Sequence, residues 1–271
     1  MREATTIRRV VEAYNLSVTT ENKIHDDAVA KRFGFEGGLV PGVEVYAYMI
    51  NSVISHFGAE WLERGSARCR FNKPIYDGHE AVVTAEAQTD EKLALKVESD
   101  GTICATGSAW MQNSQVEICI DDYPLATLPE YETRPDANPA TLPDGLILGT
   151  FEQTMAPEEQ MRYLTDVGET LAIFENETIV HPGWILRMAN RALSHNVRLG
   201  PWIHVGSTIH NLSLPRYGDH LMARAKVVRN YEHKAHLFID LDVLIAREDG
   251  TGLIQIDHTA IYRPRQVSEA A

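Results

Sequence analysis

Basic residues are scarce in this chain. It has 25 Lys and Arg against 38 Asp and Glu, a formal net charge of −13 over 271 residues. Duplex binding rests on Lys and Arg neutralising phosphates, so this balance argues against a nucleic-acid partner and against an anionic membrane surface. Cysteine is scarcer still. Cys69, Cys104 and Cys119 show no Cys-x-x-Cys spacing and, being three, cannot all pair, which fits a reducing, cytoplasmic setting. No stretch approaches the roughly 18 apolar residues of a membrane span. Met1 to Val11 mixes acids, arginines and apolar residues, unlike a signal peptide. A Gly-x-Gly-x-x-Gly fingerprint is missing, so no nicotinamide cofactor is expected, nor any other.

What is present begins with 44% hydrophobic and 23% charged residues, enough for a sizeable core. Five of the twelve prolines fall in residues 121–145. That density resists helix and central strand, and it marks a linker between residues 1–120 and residues 146–271. The two parts echo each other. Pro41-Gly42 and Pro182-Gly183, Gly65-Ser66 and Gly206-Ser207, and Pro74 and Pro215 are each 141 residues apart. Three landmarks in one register point to a duplicated unit.

Each unit reads the same way. Residues 43–57 carry apolar groups nearly all round, with Glu44 the one charge, so the helix they predict is buried. Strand patterns follow at 80–88, 93–99 and 102–111, with a turn at Ser99-Asp100-Gly101. In the second part a helix over 184–193 precedes strands at 220–230, 235–246 and 253–262, with a hairpin turn at Asp249-Gly250-Thr251-Gly252. An apolar helix followed by antiparallel strands requires a curved sheet wrapped around that helix, an α+β architecture.

The segment Glu21-Asn22-Lys23-Ile24-His25-Asp26-Asp27 precedes Ala30, Phe33-Gly34-Phe35, Gly38 and Val40-Pro41-Gly42. It resembles the MaoC-like and (R)-specific enoyl-CoA hydratase family, whose motif runs Asp-x-Asn-Pro-x-His-x-Asp. Phe71-x-Lys73-Pro74-x-x-x-Gly78 is similar to the family's strand and turn after the helix. The resemblance covers residues 15–115 and, with the repeat, implies a double hotdog fold. It also implies a hydratase or dehydratase acting across C2–C3 of an acyl-CoA or acyl-carrier thioester, in fatty acid metabolism. Where the family has its catalytic aspartate, this chain has Thr20, and Lys23 replaces the proline.

Hydration of an enoyl thioester needs a base for water, a proton for C2 and donors for the charge on the thioester oxygen. The resemblance gives His25 the first task, with Asn22 orienting it or the water. Thr20, in the aspartate's place, is a candidate to bind water or substrate, and Glu21 to replace the acid. The start of the helix at Gly42-Val43 offers backbone N–H donors strengthened by the helix dipole. Gly38 and Tyr46 complete the expected substrate contacts, and Arg68, Arg70 and Lys73 stand ready for the phosphates of coenzyme A. Two rivals keep the fold: a thioesterase in which Glu21 or His25 activates water, and a non-catalytic acyl-binding subunit.

The second part has no counterpart of His25, since residues 155–161 carry acids but no histidine, so one active site per chain is expected. His181 is read as matching Val40 at the second helix mouth. His204 and His210, six apart on one strand, are read as structural residues on one face and not as metal ligands. Association into a homo-oligomer is left open.

Overall fold

The computed structural model describes residues 5–17, 20–114 and 116–265. Residues 1–4 and 266–271, at the outer ends of the two expected units, lie outside that description. The first unit runs β1 (Thr6–Glu12), α1 (Asp27–Arg32), α2 (Gly42–Phe57), α3 (Trp61–Arg64), β2 (Gly65–Phe71), β3 (Glu80–Thr89), β4 (Lys92–Ser99) and β5 (Thr102–Met111). The second runs β6 (Phe151–Thr154), α4 (Pro157–Asp166), α5 (Ile173–Asn176), α6 (Pro182–Ser194), β7 (Ile203–Asn211), β8 (His220–His233), β9 (His236–Arg247) and β10 (Gly252–Arg263). Between β5 and β6 the described chain forms only two short 3-10 turns, as its prolines dictate.

All ten strands join one sheet in the order β1-β3-β4-β5-β2-β7-β10-β9-β8-β6. The strands alternate as half-buried strands must: Ala81, Val83 and Ala85 on β3 and Leu93, Leu95 and Val97 on β4 turn inward. They close over α2, which buries every residue from Val43 to Ile54. One apolar core spans both units, and α2 packs against α6 within it. Glu44 of α2 and Arg187 of α6 pair there, across the seam. No helix among the described residues is long and apolar enough to cross a membrane.

The units meet through antiparallel β2 and β7, where Arg68 lies opposite Thr208. That pair marks a pseudo-twofold whose spacing is 140 residues, one fewer than the sequence landmarks. The bridges Leu39 to Tyr76 and Ile179 to Arg216 repeat at 140, as do the turn glycines Gly78 and Gly218, both at positive φ. The three landmarks are thus each displaced by one residue from true structural equivalence, and at the helix starts the displacement has a local cause. Pro41 is the N-cap of α2, whereas Pro182 is the first residue of α6 and His181 its N-cap. Proline suits either place, because a first-turn N–H has no partner to lose. His181 is therefore the counterpart of Pro41, not of Val40.

One irregularity reshapes the second unit. Thr259 pairs with Gly206 and Ala260 with His204, which leaves Val205 as an extra residue. This bulge breaks the two-residue alternation. His204 turns inward with Ser207, while His210 ends on the opposite face beside Ser66. The expectation that the two histidines share a face fails for that reason.

Candidate active site

The His25 segment is a fastened 3-10 turn, residues Lys23–His25, capped by the Asn22 side chain. Its anchors are the buried Ile24 side chain, a hydrogen bond from Leu39 N–H to the Ile24 carbonyl, and one from Asn15 Nδ2 to the His25 carbonyl. Asp26 then caps α1 through Val29 N–H. Gly38 serves this packing. A side chain there would run into the His25 carbonyl, and its N–H donates to Asp27.

The ring of His25 has a defined tautomer. Nδ1 lies 2.6 Å from the Leu39 carbonyl, which only accepts, so Nδ1 carries the proton. Nε2 is left with a lone pair, 3.2 Å from Asn22 Nδ2. Asn22 is itself held across the seam: Trp202 N–H donates to its Oδ1 at 3.1 Å and its Nδ2 donates to the Trp202 carbonyl at 3.0 Å. Burial pushes the His25 pKa down to about 4; the Leu39 carbonyl opposes this, and the charge of Arg187 adds to it. At neutral pH the ring is an uncharged base.

His25 and Asn22 line a cavity of about 360 Å³. The first unit contributes Phe35, Gly42, Val45, Phe71, Ile75 and Cys104, and the second Asn190, Trp202, His204 and Phe238. The wall is mostly apolar, and no Asp or Glu is part of it. The start of α2 forms part of the wall. Pro41 offers no side-chain cap, so the Gly42 and Val43 amides lie in the first turn of a 16-residue helix without an intrahelical acceptor. A Cβ on Gly42 would lie 2.7 Å from the Phe71 ring and 3.2 Å from His204 Nδ1, so glycine lets both pack against the start of the helix.

Several expected site residues lie elsewhere. Thr20 is exposed and bonds its hydroxyl to the Ser17 carbonyl, outside the cavity wall. Glu21 turns outward to Arg134 at 3.3 Å. A turn closed by Thr20 onto the Ser17 carbonyl carries both outward, and neither carboxylate nor hydroxyl is brought to His25. Tyr46 is sealed in the core beside Cys69, because the helix face through Gly42 and Val45 meets the cavity and the next residue round does not. Arg70 and Lys73 stand at the cavity edge, but Arg68 sits on the outer sheet surface at the pseudo-twofold. Asn190, Trp202, His204 and Phe238 were not expected at the site, since only the join of the two units brings them to His25; Cys104 reaches it from β5 of the first unit. Among the described residues, no three His, Cys, Asp or Glu side chains are grouped to hold a metal.

No family model and no curated protein matches this sequence. Solved structures do match. A protein named as a MaoC domain dehydratase from Chloroflexus aurantiacus superposes with a TM-score of 0.66 at 12% identity, over 98% of this chain and 96% of that one. A Mycobacterium tuberculosis protein described as having a double hotdog fold gives 0.63 at 12% identity, over 96% of each chain. A protein named as an oleoyl thioesterase from Lactobacillus plantarum gives 0.53 at 9% identity, over 98% of each. Likeness at such identity carries the fold and not the reaction. This chain has the double hotdog fold, shared with MaoC-like dehydratases and with thioesterases.

Proposed function

We propose that this protein adds water across, or removes it from, the C2–C3 bond of a 2-enoyl thioester, with His25 as its base. The observation that carries this reading is the neutral imidazole, its protonated Nδ1 tied to Leu39, lining one cavity with the uncapped start of α2; its Nε2 lone pair accepts from Asn22 Nδ2 until water takes that place. The thioester oxygen lies at the Gly42 and Val43 amides, where charge on the enolate is held. His25 Nε2 takes a proton from water as the water oxygen bonds C3. The electron pair of the double bond moves through C2 to the thioester oxygen. The same Nε2–H then returns its proton to C2, so the two fragments of water end on C3 and C2 and the base is regenerated. One base suffices, which accords with a wall free of carboxylates. Asn22 steadies the ring. Arg70 and Lys73 at the edge suit the phosphates of a coenzyme A or carrier arm.

Incubation with crotonyl-CoA tests this. Loss of the conjugated double bond without release of thiol, abolished in His25→Ala, is the expected result. Release of free thiol identifies a thioesterase instead, and no turnover with retained binding identifies an acyl-binding subunit.

A further inference from the structure

The second unit's wall carries a polar relay that the scheme above does not use. Nε2 of His204, on β7, lies 2.9 Å from Ser207 Oγ, which lies 3.0 Å from Nδ1 of His258 on β10. The cross-strand register places Ser207 directly opposite His258. All three side chains are buried, and the two ring centres are 4.2 Å apart. Only the two ends lack a partner among the described residues: His204 Nδ1 and His258 Nε2. Buried polar atoms in folded proteins are paired, and an unpaired one at a cavity wall marks a place for a ligand. His204 belongs to the cavity wall and His258 does not. The free Nδ1 flanks Gly42, in the part of the cavity wall where the α2 amides are uncapped. A second unpaired atom, Asn190 Oδ1 on α6, adjoins the same cavity.

We propose that His204 is a second catalytic residue, donating a hydrogen bond from Nδ1 to the thioester carbonyl oxygen, with Ser207 and His258 as its positioning residues. The proposal deepens the acyl-thioester reading and rests on it. Of the two directions that the relay distances allow, we take the one that leaves no N–H of His258 buried without an acceptor. His258 Nδ1–H donates to Ser207 Oγ, the Ser207 hydroxyl donates to His204 Nε2, and the remaining proton of His204 stands on Nδ1, facing the oxygen. Burial, and then the nearby His258, holds His204 well below the ordinary histidine range, against the opposing pull of the Gly206 backbone. The ring donates as a neutral imidazole and keeps its proton throughout. As charge builds on the oxygen the bond strengthens, and no proton leaves the relay.

Two substitutions divide the ring's functions. His204→Gln keeps a partner for Ser207 and loses the cavity-facing donor; His204→Asn sets an amide N–H near the place of Nδ1. With crotonyl-CoA, His204→Gln is expected to lower kcat about 10²-fold with KM nearly unchanged, and His204→Asn to retain about tenfold more activity than Gln. Equal rates, or the reverse order, overturn the proposal. Imidazole 15N spectra with butyryl-CoA, which has no double bond to hydrate, give a readout independent of turnover. Binding should move the His204 Nδ1 resonance, and His258→Phe should weaken that response and lower kcat without raising KM. If butyryl-CoA moves His25 but leaves His204 untouched, the proposal fails while the thioester reading stands. If it moves neither, both fall.

Discussion

The mouths of the two buried helices occupy equivalent places and are finished in opposite ways. At α2, Pro41 caps nothing, the Gly42 and Val43 amides remain uncapped, and a cavity opens before them. At α6, the residue in the place of Pro41 is His181, whose Nδ1 accepts from Gly183 N–H at 3.1 Å. Its Nε2 lies 3.2 Å from the Glu169 carboxylate, and both side chains are almost wholly buried. Glu169 also accepts from Asn51 Nδ2 at 2.6 Å and from the Thr170 and Leu171 amides at 2.7 and 2.8 Å. Burial raises its pKa, but the His181 contact and these donors outweigh that and hold it below the usual carboxylate range. Duplication thus supplies two helix starts. One is closed by the chain's own imidazole and carboxylate, and the other opens on a cavity.

The sharpest way to break this contrast is to remove the open mouth's base. His25→Ala should lower kcat/KM per folded molecule for crotonyl-CoA about 10³-fold, while the Leu39 carbonyl it leaves unpaired costs only about 1–3 kcal/mol of stability. A rate that survives would place the chemistry elsewhere. Glu169→Ala attacks the closed mouth, stranding His181, Asn51 and two amides. We expect a loss of about 3–5 kcal/mol in urea unfolding with kcat per folded molecule unchanged. A fall in kcat with stability intact would show that the second mouth is catalytic after all.

Gly42→Ala should make the open mouth resemble a filled one. Its methyl would press on Phe71 and His204, costing about 1–3 kcal/mol and raising KM about tenfold. Smaller still, Asn22→Ala should cost about 1 kcal/mol per lost hydrogen bond, seen as a modest drop in kcat. The pH profile should show least of all near neutrality. His25 loses its lone pair only as pH falls through about 4, so kcat/KM should stay level above that and decline below it. Stability moves in the same direction for a different reason. Folded His25 binds its proton less readily than the unfolded chain, whose value is near 6.5. The unfolded state therefore gains protons first, and stability declines from about pH 6.5 down to about 4.

Much of the fold was legible in particular residues. The apolar girth of residues 43–57 required a buried helix, and the alternating runs around Ser99-Asp100-Gly101 and Asp249-Gly250 became β4–β5 and β9–β10. The site was legible only along its contiguous part. Asn22, His25 and Gly42 lie within 21 residues, and local hydrogen bonds hold the His25 turn in shape. Thr20 and Glu21 were misplaced because spacing alone does not show that a turn onto Ser17 and a contact with Arg134 carry them away from the cavity.

By itself the sequence determined the duplicated unit, the helix at the centre of each half and the histidine segment before the first. These depend on periodicity and turn chemistry, which act between near neighbours. Tertiary structure decided which helix mouth stays open, since that follows from Glu169 reaching His181 and from the pairing of β2 with β7. It also decided that His204 enters the cavity, because one extra residue at Val205 reverses the strand's facing, and such a bulge exists only once β10 is laid beside it.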